Sequence, residues 1–141
     1  MKRLFLSIIS AGVGLMLSPA GMQAQSKAPD KVPSMEEYAV KEADRLAHLL
    51  KLEDWQVFYV DSTLQHDYTS MQNELAELKK ARVENTDLYQ NVQDKWMEQI
   101  DRTYQRIFTE SQWAAYLKSG AARNQKARDK RKAKRAQEQK N

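Results

Sequence analysis

The residues best equipped for chemistry in this chain are its two histidines, its carboxylates and one repeated amide motif. Asp44 and His48 lie four residues apart and can share a helix face, while His66 and Asp67 are adjacent. Metal coordination needs several such donors at a defined spacing, and two histidines without a spacing motif do not supply it. These side chains are therefore expected to be solvated helix-surface groups, with no metal ligands and no cofactor. The carboxylates sit among other charges, and no nucleophile–base spacing accompanies them. No catalytic residues are assigned, and the chain is not expected to be an enzyme. It has no cysteine, so it forms no disulfide framework and carries no thiolate chemistry.

The repeated motif is chemistry of a different kind, the hydrogen bonding of helix ends. Phe108-Thr109-Glu110-Ser111-Gln112 precedes Trp113, and Leu52-Glu53-Asp54-Trp55-Gln56 precedes Val57. In the second copy the Thr109 hydroxyl can accept from the Gln112 N–H. The Gln112 side chain can reach back to the Thr109 N–H, a capping box, with Phe108 and Trp113 placed as a hydrophobic staple. In the first copy Leu52, Glu53, Gln56 and Val57 take the equivalent positions. Glutamate is a poor N-cap, so that start is expected to be softer, or capped by Asp54 instead.

These motifs need long helices to hold them. Ser34-Met35-Glu36-Glu37 forms another capping box just after Pro33, and Met35, Ala39, Ala43, Leu46 and Leu50 follow on one face. From residue 54, Val57, Val60, Leu64, Tyr68, Met71, Leu75 and Leu78 step by threes and fours, a seam that requires a partner helix. A helix over 54–82 would be roughly 43 Å long. Val83-Glu84-Asn85-Thr86 reads as a break, with Asn85 as a left-handed C-cap and Thr86 as the next N-cap. The returning stripe is Tyr89, Val92, Trp96, Ile100, Thr103 and Ile107. A short turn between two such helices makes them antiparallel neighbours. A last helix from Thr109 should stop at Gly120. The expectation is an all-α domain over residues 34–120, an antiparallel long-helix hairpin with shorter flanking helices.

Export and charge frame this domain. Lys2 and Arg3, an apolar run over 4–17 and small residues over 18–24 form a secretory signal, cleaved after Ala24 or, alternatively, Ala20. A periplasmic location is expected. Residues 25–33 read as a disordered linker with two prolines. Residues 25–122 carry 12 Lys and Arg against 17 Asp and Glu, a net −5, whereas residues 123–141 carry 9 against 2, a net +7. The 121–141 tail has helix propensity but no apolar face, and is expected to be a frayed helix or disordered. It suits an anionic envelope surface or simple solvation; for an exported chain nucleic acid is not an expected partner.

Several large side chains fall off the seams: Trp55, Phe58 and Tyr59 on one helix, Met97 and Tyr104 on the other. Such residues are commonly core, but a thin helical body has little interior. Polarizable methionine and amphipathic aromatics suit adaptable contact with unfolded segments. These five are the candidate client-binding residues.

The two copies at Leu52–Gln56 and Phe108–Gln112 resemble the Leu-Thr-x-x-Gln element of the Spy/CpxP family of periplasmic LTxxQ-motif proteins. Glu53 stands where the family has threonine, and Phe108 where it has leucine. The resemblance covers residues 34–120. It implies a thin, curved cradle made by two protomers, and action as an ATP-independent, holdase-like chaperone or as an envelope-stress accessory. The partners implied are unfolded or misfolded envelope proteins, a sensor protein and a second copy of the chain. Some relatives bind zinc, nickel or cobalt, but no matching histidine-rich segment is present here. A metal-responsive sensor on the same fold, and an adaptor on an anionic envelope surface, are the alternatives.

Overall fold

The computed structural model describes residues 34–140 of the chain. The expected signal (1–24) and linker (25–33) lie outside the described residues. Those described form only helices: α1 Met35–Leu50, α2 Asp54–Lys80, α3 Thr86–Ile107, α4 Glu110–Tyr116 and α5 Ala122–Glu138. A wide π-type turn, Leu117–Ala121, joins the last two. None is long and apolar enough to cross a membrane.

Local chemistry accounts for most helix ends. Ser34 Oγ accepts from Glu37 N (3.2 Å), and the Glu37 carboxylate accepts from Ser34 N (3.1 Å), which starts α1. Helices α1 and α2 both end by six-residue back-bonds, Leu52 N to Ala47 O and Val83 N to Leu78 O. Each leaves a non-glycine residue, Lys51 or Arg82, at positive φ. The break after α2 therefore differs from expectation. Arg82 takes the left-handed cap, and Asn85 instead starts α3, its Oδ1 accepting from Asp87 N at 2.9 Å. Asparagine caps a helix start at least as well as threonine, so Thr86 becomes the first helical residue. The helix begun at Thr109 ends at Tyr116, short of the expected stop; the break itself, inside the wide turn that follows, is at Gly120. Its φ is +113°, and a Cβ there would meet nothing within 4 Å, so the demand for glycine is conformational.

The antiparallel hairpin of α2 and α3 is present, and α1 packs along α2. The core gathers at one end of the hairpin. Ala39, Ala43, Leu46 and Leu50 of α1 meet Val60 and Leu64 of α2, with Ile100, Tyr104, Phe108 and Tyr116 from the C-terminal side. The small residues of α1 let its backbone approach α2 closely. Toward the hairpin tip no further helix adds buried apolar side chains to the α2–α3 seam, so Met71, Leu75 and Leu78 stay half-buried. A polar clasp ties that end. Glu74 of α2 accepts from Lys95 Nζ (2.6 Å) and from Trp96 Nε1 (2.8 Å) of α3. The Lys95 hydrogen bond, helped by Trp96, holds the Glu74 carboxyl below the usual range.

The tail differs from the expectation of a frayed or disordered segment: α5 is a regular helix. No residue in it is buried, which agrees with its lack of apolar side chains. It is fastened by charge. Arg131 grips Asp94 of α3 with two nitrogens (2.8 and 2.7 Å), Arg135 reaches the same carboxylate (3.4 Å), Arg128 pairs with Asp101, and Lys132 meets Glu98 (3.3 Å). Partners run in opposite order along the two helices, so α5 returns antiparallel to α3. Burial works against ionisation of Asp94, but the Arg131 hydrogen bonds and charge outweigh it and keep its carboxyl below the usual range.

Candidate functional site

The first two turns of α2 hold both the motif glutamine and three of the candidate contact residues. Gln56 points inward and is 1 % exposed. Its amide meets that of Gln112 from the other motif copy in a reciprocal pair, Gln56 Nε2 to Gln112 Oε1 at 2.7 Å and Gln112 Nε2 to Gln56 Oε1 at 3.0 Å. Each oxygen also accepts a backbone N–H from its own cap residue, Glu53 (3.0 Å) or Thr109 (2.9 Å). Gln56 Nε2 donates in addition to Ile107 O at 2.8 Å. The two copies thus form one polar knot inside the molecule. Thr109 Oγ1 accepts from Gln112 N at 3.3 Å, completing the second cap as expected. The Glu53 carboxylate is used differently, accepting the Trp55 indole N–H at 2.7 Å. Leu52 packs against the core, and Phe108 lies within it, stacked on Tyr104 with ring centroids 4.9 Å apart.

With Gln56 and Val60 facing inward, a 100° step per residue turns Trp55, Phe58 and Tyr59 outward. They are 50, 67 and 52 % exposed. Tyr59 meets Trp55 edge-on at 6.2 Å and Phe58 at 5.7 Å, so the three rings make one contiguous patch. The Glu53 hydrogen bond fixes one end of it.

The other two candidates are elsewhere. Tyr104 is corrected from a spare surface residue to a core residue, 1 % exposed. The reason is tertiary: α4 folds back and sets the Tyr116 ring edge-on against it at 5.4 Å. Burial, and then the neighbouring Tyr116, raise the Tyr104 pKa well above the ordinary phenol value. Its hydroxyl has no hydrogen-bond partner among the described residues. Met97 is half-buried against the core and borders a cleft between α3 and α5, apart from the aromatic patch.

Asp44 and His48 are both exposed on α1. His66 Nδ1 lies 2.7 Å from Asp67 Oδ1, which also accepts from Gln99 (3.2 Å). Among the described residues, no three His, Asp or Glu side chains converge to hold a metal ion.

The sequence reading missed the carboxylates of α3. Asp101 is buried and accepts from Tyr116 Oη (2.7 Å), Gln125 Nε2 (3.1 Å) and Arg128. The signal was available as two matching stripes, Asp94, Glu98 and Asp101 on α3 against Arg128, Lys132 and Arg135 on α5, each spaced by three and four. Compared with known proteins, the chain matches no family model, no curated protein and no solved structure.

Proposed function

We propose that the chain is an exported, ATP-independent holdase-like chaperone or envelope-stress accessory of the Spy/CpxP type. In this reading it works as a thin, curved homodimer on unfolded or misfolded envelope proteins, or reports them to a sensor protein. The observation that supports it is the patch of Trp55, Phe58 and Tyr59, three large rings at least half exposed and in mutual contact. Soluble proteins rarely leave such rings together at the surface without a binding use. Rings with polar edges suit loose, low-specificity contact with apolar segments. Contact of this kind consumes no nucleotide and is complete when the client leaves or refolds.

The test is suppression of aggregation of an unrelated unfolding protein by the purified chain at near-stoichiometric ratio. Phe58→Gln with Tyr59→Gln should weaken suppression severalfold. The melt should shift by no more than about 0.5 kcal/mol, since these are surface positions. A wild-type chain that suppresses nothing sinks the chaperone reading. Unchanged suppression by the variant removes the patch from it.

A further inference from the structure

Helix α5 has two basic faces, and only one is used within the molecule. Arg128, Arg131, Lys132 and Arg135 turn toward α3 and its carboxylates. On the opposite side, successive 100° steps bring Arg123, Lys126, Lys130 and Lys134 within about 80° of arc. All four are exposed. Among the described residues none of them pairs with another helix, and the one ion pair they make is within α5, Lys134 to Glu138 at 3.6 Å. Asp129 lies well off the stripe. The four cations span roughly 17 Å along the helix.

We propose that this outer face docks the protein onto an anionic phospholipid surface. The chemistry of the face selects that partner. Helix α5 has no apolar side chain larger than alanine, so it cannot insert into hydrocarbon or build an apolar protein interface. Residues 122–140 include no aromatic ring on which a nucleic-acid base could stack. What remains is a straight row of point charges on a convex surface, which matches a plane of phosphates and requires no register. The inner arginines strengthen the match. By gripping Asp94 and Asp101 they fix which side of α5 faces outward, so the outer cations are presented together. The docking does not depend on the chaperone reading.

The experiment is co-sedimentation of the purified full chain with phosphatidylcholine vesicles, with and without phosphatidylglycerol. Binding should require phosphatidylglycerol and fall steeply with salt. Each outer cation should contribute roughly fivefold. The combined Arg123→Gln, Lys126→Gln, Lys130→Gln and Lys134→Gln variant should therefore lose on the order of a hundredfold or more. Lys41→Gln, Lys79→Gln, Lys80→Gln and Lys118→Gln together remove the same charge elsewhere and should retain most binding. Exchanging the four outer residues as Arg123→Lys, Lys126→Arg, Lys130→Arg and Lys134→Arg should also retain it. The proposal is overturned by equal binding to phosphatidylcholine alone, by tight binding of the glutamine variant, by equal loss in the distant control, or by loss in the charge-retaining exchange. Tighter binding of a duplex oligonucleotide than of phosphatidylglycerol vesicles would assign the face to nucleic acid instead.

Discussion

Tyr104 and Tyr116 touch each other yet place different demands on the fold. The Tyr116 hydroxyl donates to Asp101 at 2.7 Å, whereas that of Tyr104 is buried without a partner. Burial, and then the bond to Asp101, lift the Tyr116 pKa far above its ordinary value, so both rings remain protonated. Tyr116→Phe should destabilise by roughly 1.5–3 kcal/mol, the range for a hydrogen bond to a charged group. Tyr104→Phe removes an unsatisfied hydroxyl and should be neutral, or stabilise by up to about 1 kcal/mol. Denaturant melts of the two variants check this; equal losses would mean that Tyr104 has a partner after all. The contrast also shows why Tyr104 was misplaced from sequence. Its surroundings come from α4, and no spacing within α3 reveals where α4 will lie.

Among the elements, α5 stands apart because polar contacts and charge hold it where apolar packing holds the rest. Its attachment should follow the ionisation of its partners. Asp94 faces Arg131, Arg135 and Gln90, and its folded pKa lies below the ordinary carboxylate value. A depressed carboxyl contributes stability that is fully present above its unfolded pKa and is lost as pH falls through the folded one. The docking of α5 should thus be intact at neutral pH and fail in acid, below the usual carboxylate range. Molar salt, where the screening length is about 3 Å, should loosen the exposed pairs too. Backbone amide signals in nuclear magnetic resonance should move first in α5 while those of Leu46, Leu64 and Ile100 hold. Simultaneous movement of both sets would show that α5 is integral to the core. The caps at Ser34 and Thr109 were legible in the sequence because both partners lie within four residues. The α5 contact was not, because its two stripes lie on separate segments and each alone reads as solvated charge.

Across the whole molecule, the hairpin and its flanking helices follow from hydrophobic periodicity, and the three exposed rings from their angular offset to the seam. The joining of the two motif copies does not follow from either, since Gln56 and Gln112 meet only when α2, α3 and α4 are all in place. Gln56→Ala strands the Gln112 amide, the Ile107 carbonyl and the Glu53 N–H together. It should cost about 1–3 kcal/mol, as should Gln112→Ala. Because the two amides satisfy each other, the double variant should cost clearly less than the two single losses added. A double-mutant cycle by denaturant unfolding measures the difference; strict additivity would mean that the pair contributes no mutual energy.

The amide pair also acts as a gauge of alignment. Slide α3 along α2 by one turn, about 5.4 Å, and most of the apolar stripe would still find apolar neighbours. The two glutamines would not find each other, and both amide nitrogens and the Ile107 carbonyl would be left dry. Apolar side chains tolerate such a slip, while a buried amide pair rejects it, much as a single buried asparagine fixes the pairing of a coiled coil. The repeat of one short motif at two distant helix starts therefore sets the hairpin to a single length of overlap.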